Sequence, residues 1–439
     1  MMTMHGRGLR ISITIGALCG VLLLNAGCDT FTGSLLGLPG SETLTAEDFA
    51  THAVLGGTAE RTLMARTVNP LSTALLDELP VFNPLNPGAY FEALQELGYT
   101  EDFVYEPSKT EVVAVNLNTL ESEVLASDLS ADQYNLKTDG RWLVWIEYEW
   151  DEQNNETDSV HVVDLNSEDQ TETVQFEGMA GGRLHNIVAV SEGYLILTAG
   201  SAPYDDTSLV VMNLETQETR EIEQVYLVGW DGDSNGQGGS AIVADAVLYM
   251  YVWPPDEGEI DLTDVTPITG RIDTVDLTSG ERATLIDGLD GNYDDRMYIF
   301  GDRLLVKSVV YEWVETTTIR SYPLAGGAGT DLLEYTIVDY MTGWGTVDDV
   351  NDRGVVIQTS NSEWKGLFNI QEHDTVEFRP YEGEAVPVAE TTVNTFDVTF
   401  DWSVGRLIDK YVLYRDATSG EFVVFDVEKQ TERRFDPFE

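Results

Sequence analysis

The sequence predicts an all-β fold, a β-propeller built from four-stranded blades, and three observations carry that reading. A short apolar strand ending in Asp or Asn and followed by Leu occurs at Asn116-Leu117, Asp164-Leu165, Asn213-Leu214 and Asp276-Leu277. Degraded copies follow at Pro323-Leu324, Gln371 and Asp426-Val427, which makes seven units separated by 48, 49, 63, 47, 48 and 55 residues. A β-rich period of that size describes an array whose units bury their faces only against their neighbours. A turn acid keeps the same phase at Asp139, Glu192, Asp245, Asp302, Asp352 and Asp409. Two-residue alternation with β-branched and aromatic residues fills the intervals. Seven units predict seven blades; six or eight fit the period as well, and a β-sandwich series or a β-helix is the competing arrangement.

The chain opens with Arg7 and Arg10, a mostly apolar run of fourteen residues from Ile11 to Leu24, and then Asn25-Ala26-Gly27-Cys28. A basic start, an apolar run too short to span a bilayer comfortably and small residues after it describe a secretory signal peptide over 1–27. Leu24-Asn25-Ala26-Gly27-Cys28 resembles the bacterial lipobox, matching at Ala26, Gly27 and Cys28 and departing at Asn25, where Leu is usual. The resemblance implies cleavage before Cys28, acylation of Cys28, and a membrane-anchored lipoprotein outside the cytoplasm, at the outer membrane or cell surface. Ordinary signal-peptidase cleavage is the alternative. More than one acyl chain, at about 0.8 kcal/mol per buried methylene, holds such a body to a membrane stably. The two cysteines are Cys19 and Cys28, so the rest of the chain has neither disulfides nor Cys-ligated zinc.

Residues 28–57, rich in Thr, Ser, Gly and Leu, read as a tether with one short helix near Ala46–Ala53. Residues 58–98 have helical spacing over Ser72–Leu79 and Ala89–Leu97 around a Pro- and Asn-rich break, and read as a cap or an elaborated first blade. The propeller itself is expected over 99–439. Its clearest unit runs from Tyr134 to Phe176, with a turn at Thr138-Asp139-Gly140 and strands over Trp142–Tyr148, Val160–Leu165 and Thr171–Gln175. The stretch Asp139-Gly140-Arg141-Trp142-Leu143-Val144-Trp145, with Val160–Leu165 downstream, resembles the TolB-type, WD40-like propeller repeat; the other units keep only its strand and acidic-turn skeleton.

With 24 Lys and Arg against 77 Asp and Glu, the formal charge is −53, and no basic patch is left to follow a phosphate backbone. A hydrophobic content of 42% with 10% aromatics is too high for a disordered acidic chain. Acidic loops concentrate where second strands meet third strands and where one blade passes to the next. They contribute Glu149, Asp151, Glu152, Asp158, Asp205, Asp206, Asp256, Glu257, Asp290 and Asp294, with Trp150 and Trp253 at the loop edges. Four-stranded topology brings these to one rim, a recognition surface for a basic protein partner or for cations.

Within that rim, Asp231, Asp233, Asn235 and Gln237 alternate around Gly236 as in the opening of a calcium loop. The twelfth position, where a bidentate acid is expected, is Ile242, so Ca²⁺ would need further oxygens from Asp205, Asp206 or Asp256. Gly232-Asp233-Ser234-Asn235-Gly236 also fits a nucleophile elbow, but Gln237-Gly238-Gly239-Ser240 does not start a helix, and His373 is the only later His. The functional expectation is a non-catalytic envelope lipoprotein whose propeller binds another protein. The alternatives are a propeller-type hydrolase acting at the channel mouth and a calcium-dependent adhesion module.

Overall fold

The computed structural model describes residues 51–68, 109–129, 136–150, 156–167, 172–174, 183–200, 208–223, 225, 227, 238–252, 268–291, 295–311, 315–337, 343–366, 369–394, 406–416, 419 and 421–438. The first blade is β1 (Thr51–Thr58), β2 (Arg61–Val68), β3 (Lys109–Val115) and β4 (Ser122–Leu129). The second is β5 (Lys137–Thr138), β6 (Trp142–Trp150), β7 (Glu156–Asp164) and β8 (Glu172–Val174). The third is β9 (Arg183–Ser191), β10 (Tyr194–Gly200), β11 (Ser208–Asn213) and β12 (Thr219–Ile222). A two-residue strand, β13 (Gly238–Gly239), precedes the fourth blade of β14 (Ala241–Ala244), β15 (Val247–Val252), β16 (Ile268–Asp276) and β17 (Arg282–Gly291). The fifth is β18 (Arg296–Phe300), β19 (Arg303–Tyr311), β20 (Glu315–Pro323) and β21 (Thr330–Ile337), with β13 added beside β18. The sixth is β22 (Gly343–Val350), β23 (Gly354–Gly366), β24 (Asn369–Pro380) and β25 (Val386–Asn394). The seventh is β26 (Arg406–Ile408), β27 (Tyr411–Arg415), β28 (Phe422–Asp426) and β29 (Thr431–Phe435). All pairings are antiparallel, and the fold is a seven-bladed all-β propeller with no helix among the described residues.

The core is seven layers rather than one mass, each shared by two blades. Leu143 and Trp145 on β6 pack toward the first blade, with Leu63 and Val112. Their neighbours Trp142, Val144 and Ile146 pack toward the third, with Leu195 and Leu197. Both faces of a blade are covered, so its middle strands read as nearly continuous apolar runs. Each fully buried aliphatic side chain contributes roughly 1.5–3 kcal/mol. The last layer joins the seventh blade to the first: Leu413, Phe422 and Val424 pack on Met64, Val113 and Leu117.

The recurring Asp or Asn has a local cause. It ends the third strand, and its side-chain oxygen accepts backbone N–H groups two or three residues on: Asn118 and Thr119 to Asn116, Thr278 and Ser279 to Asp276, Glu428 and Lys429 to Asp426. The following residue ties this turn to the turn between first and second strands. Leu117 donates to Ala59 O, Leu165 to Arg141 O, Leu214 to Gly193 O, Leu277 to Ala246 O, Leu324 to Asp302 O and Val427 to Lys410 O. The sixth copy differs from the expectation at Gln371, which lies inside β24. Tyr381 N donating to Arg353 O puts that copy at Pro380-Tyr381.

The first blade also starts earlier than expected. β1 and β2 occupy residues assigned above to the tether and the cap, so the propeller includes residues before 99, and Thr51–Ala53 are strand rather than the end of a helix. β1 reads as a linker because of Gly56 and Gly57, which accommodate a register shift after Val54. Gly57 has φ +126°, and a Cβ there would lie 2.2 Å from Arg61 O, so glycine is required. Ser72–Leu79, Ala89–Leu97 and the signal peptide with Cys28 lie outside the described residues.

Candidate functional site

Four-stranded antiparallel topology sends the first-to-second and third-to-fourth turns to one end of every blade. The second-to-third loops and the links between blades leave from the other end. The sequences between strands differ in charge at the two ends, although the strand residues Lys109, Arg183, Arg296, Arg406 and Arg415 border the loop-end segments. The segments joining strand ends at the loop end, from 69–108 through 416–421, carry many carboxylates and not one Lys or Arg. The turn end holds Arg141, Arg353, Lys410 and Lys429 within its turns.

Two of these cations, Arg141 and Arg353, latch neighbouring blades, while Lys410 and Lys429 pair with Asp426 and Glu428 of their own blade. Arg141 Nη1 donates to Glu215 Oε1 at 2.5 Å, and Arg353 Nη1 to Glu428 Oε1 at 2.6 Å. Arg61 Nη1 donates to Asn166 Oδ1 at 2.8 Å. In each case the partner lies two residues past the Asp/Asn position of the next blade. Hydrogen bonds donated to Asp164 and Glu215 raise the Arg141 guanidinium above its ordinary value, and the bond from Arg141 holds Asp164 below the usual carboxylate range.

The turn acids act as staples in the same direction. Asp139 Oδ2 accepts Gly193 N at 2.7 Å, Glu192 Oε2 accepts Asp245 N at 2.8 Å, and Asp409 Oδ2 accepts Ala59 N at 3.0 Å. The last of these closes the ring. Two open cavities lie between blades at this end. One of about 470 Å³ separates the first and second blades near Arg61, Asn116 and Asn166. One of about 300 Å³ separates the second and third near Arg141, Trp142 and Gly193.

The expected rim is only partly within the described residues. Glu149 and Trp150 end β6 and Asp158 lies on β7, so the hairpin runs further than expected and its loop shortens to 151–155. Asp290 lies on β17, paired with Thr269, rather than in a link between blades. Asp151, Glu152, Asp205, Asp206, Trp253, Asp256, Glu257 and Asp294, and the calcium-loop residues Asp231, Asp233, Asn235 and Gln237, lie outside the described residues. Asp295, at the end of the same link, turns inward: it is 1% exposed and accepts Tyr251 Oη at 3.1 Å and Val309 N at 2.7 Å. Burial and the Asp295 charge push the Tyr251 hydroxyl well above its ordinary value.

The latches and the cavity beside Trp142 were not expected from the sequence. An available signal was an aromatic at the first position of the second strand, opposite the Asp/Asn, at Trp142, Tyr194 and Tyr411.

No protein-family model matches the chain, and a comparison with curated proteins finds no match. Among solved structures, the β-propeller domain of the Trilobed protease from Pyrococcus furiosus is similar with TM-score 0.46 and 12% identity, over 86% of this chain and 92% of that one. The acylaminoacyl peptidase of Pyrococcus horikoshii is similar with TM-score 0.39 and 12% identity, over 70% of this chain and 45% of that one. A 6-phosphogluconolactonase-like protein from Bacteroides uniformis is similar with TM-score 0.41 and 10% identity, over 75% and 91%. At this distance the likeness is one of architecture and extends to no activity.

Proposed function

We propose that this propeller is a non-catalytic binding platform, exported and tethered through acylated Cys28, that engages a basic protein partner at its loop end. The supporting observation is the composition of the segments that join strands at the loop end. Loop-end segments contain no Lys or Arg, while Arg141 and Arg353 at the turn end are engaged in latches between blades. A surface of one sign speeds encounter with a partner of the other sign and makes the association sensitive to salt. If the Asp231–Gln237 segment takes up Ca²⁺, the cation lies at this same end and contributes to its recognition.

The test is cross-linking and co-purification of the tagged protein from gently solubilised envelopes, alongside a variant carrying Asp256→Asn and Glu257→Gln. A partner whose recovery falls with added salt and falls further in the variant supports the reading. Recovery of the protein alone overturns it.

A further inference from the structure

Two hairpins run past the other strands of their blades at the loop end. In the second blade, β6 and β7 stay paired out to Trp150 and Glu156, whereas β8 pairs with β7 no further than Val160. In the sixth, β23 and β24 stay paired out to Gly366 and Asn369, whereas β22 pairs no further than Asn361 and β25 no further than Gln371. Each hairpin therefore ends as a two-stranded ribbon. The second blade interleaves Tyr148 and Trp150 with Glu147, Glu149, Glu156 and Asp158, which suits a ribbon in water. The sixth instead runs Trp364-Lys365-Gly366-Leu367-Phe368-Asn369-Ile370, free of acids in a chain that has 77 of them against 24 bases. Trp364 pairs with Ile370 in register, and Leu367-Phe368 joins Gly366 to Asn369. Two-residue hairpin connections favour Asn-Gly and other Gly pairs, which take positive φ without strain. Turn chemistry therefore gives no reason for Leu-Phe.

The amino-terminal segment arrives at the same end of the ring. First strands start at the loop end, so residues 1–50 join the propeller there, at Thr51 in the first blade. Only the seventh blade stands between the first and the sixth on that side. We propose that the end of the blade-six ribbon is a membrane contact, inserting its apolar residues into the headgroup–acyl boundary of the bilayer from which residues 1–50 approach. Trp is favoured at that boundary, and a Lys among apolar residues keeps its ammonium at the headgroups while its stem lies in the apolar layer. The inference rests on the exported, tethered reading above for its bilayer. An apolar pocket on a protein would suit the same residues, but the entry of the amino-terminal segment beside the ribbon favours lipid. With a formal charge of −53 the ring is repelled by anionic headgroups, so the surface is a zwitterionic one.

The test uses the full chain with Cys19→Ser and Cys28→Ser, so that Asn369→Cys carries a polarity-sensitive dye alone. The protein is reconstituted with phosphatidylcholine vesicles, with and without lipids bearing a nitroxide near the headgroup. Flotation records whether the vesicles hold the chain. Ser279→Cys, exposed in a third-to-fourth turn at the opposite end, carries the same dye as a control. The expected result is a blue shift and nitroxide quenching of the dye on the ribbon and neither on the control. Phosphatidylglycerol vesicles should quench it less at low salt, and the difference should close as salt screens the repulsion.

Leu367→Asn with Phe368→Gly removes two apolar residues and installs an Asn-Gly connection, which favours the hairpin. Quenching on the ribbon should then fall to the level of the control, with no loss of the fold to account for it. Equal quenching of both dyes, or quenching that survives the Asn-Gly connection, would overturn the proposal. So would a ribbon dye that no vesicle quenches, whether or not the chain floats. A dye that ignores lipid and shifts with envelope protein extract assigns a protein pocket instead and overturns it equally. Neither acylated Cys28 nor a basic partner takes part, so failure here and failure of the reading above are separate results.

Discussion

Asp139 shows how one side chain organises both its own turn and the next blade. Its Oδ1 accepts Arg141 N at 3.0 Å and Trp142 N at 2.8 Å, while Oδ2 accepts Gly193 N of the third blade. Asp139→Ala leaves three backbone donors seeking water in a partly buried turn. The expected loss is about 1–3 kcal/mol in urea unfolding; an unchanged midpoint would show that the staple carries no weight. Asp273 makes a different kind of contribution. Its carboxylate, 1% exposed on β16, accepts Arg271, Arg282 and Thr284. Burial pushes this carboxyl up, but the bonds from Arg282, Thr284 and Arg271 outweigh it and hold the group below the ordinary Asp value. A depressed folded-state pKa gives stability that is complete above the unfolded value of about 3.9 and is lost as pH falls through the folded one. The melting temperature should therefore fall as acid is added below about pH 4, and less steeply in Asp273→Asn. Equal slopes in the two proteins would contradict the assignment.

Among elements, the third-to-fourth turn explains which parts of the fold were legible. Asp or Asn followed by Leu is visible because one side chain must cap the turn and the next N–H must reach the first-to-second turn. At Pro323 and Pro380 no side-chain acceptor remains, yet Leu324 N and Tyr381 N keep the second bond. The sixth unit was misplaced for that reason. β23 and β24 are thirteen and twelve residues long, so period-two alternation continues well past any single expected strand end. The latches were illegible because they join residues such as Arg141 and Glu215, 74 positions apart. The acidic rim rests on blade topology and on strand ends set by where polar residues begin, and β6, β7 and β17 absorb Glu149, Trp150, Asp158 and Asp290 into longer strands. The latch series has one neutral member, Arg61 with Asn166. Asn166→Glu should strengthen it by about 0.5 kcal/mol at low ionic strength, an increment that high salt screens away. Denaturant midpoints at low and high salt measure it, and a loss of stability at both would show that the latch position does not carry over between blades.

At the scale of the ring, among the described residues every sheet is assembled from one continuous stretch of chain apart from β13, and no described strand crosses from the last blade to the first. Side chains close the ring instead. Asp409 staples Ala59, Tyr411 bonds Asn118, Arg433 Nη1 reaches Asn118 O, and the guanidinium of Arg66 lies 4.8 Å from the centre of the Phe438 ring. Phe438 also packs against His52 with ring centres 5.5 Å apart. Phe438→Ala should lower stability by about 1–2 kcal/mol, less than a fully buried Phe because the ring is half-buried. Faster hydrogen exchange would follow first in β1 and β29, and exchange that rises evenly over all seven blades would contradict a localised seam. Closure also sets the loop ends of the seven blades side by side, so the proposed binding platform depends on it. The most direct test is a cysteine pair, Asn118→Cys with Tyr411→Cys, 293 residues apart in sequence and introduced into a body with no cysteine after Cys28. Because the contact is between side-chain tips, the two thiols are bridged with a short bis-maleimide rather than by direct oxidation. The closed ring predicts an intramolecular cross-link in the native monomer and none after denaturation; native protein that is not cross-linked, or is linked only between molecules, would contradict it.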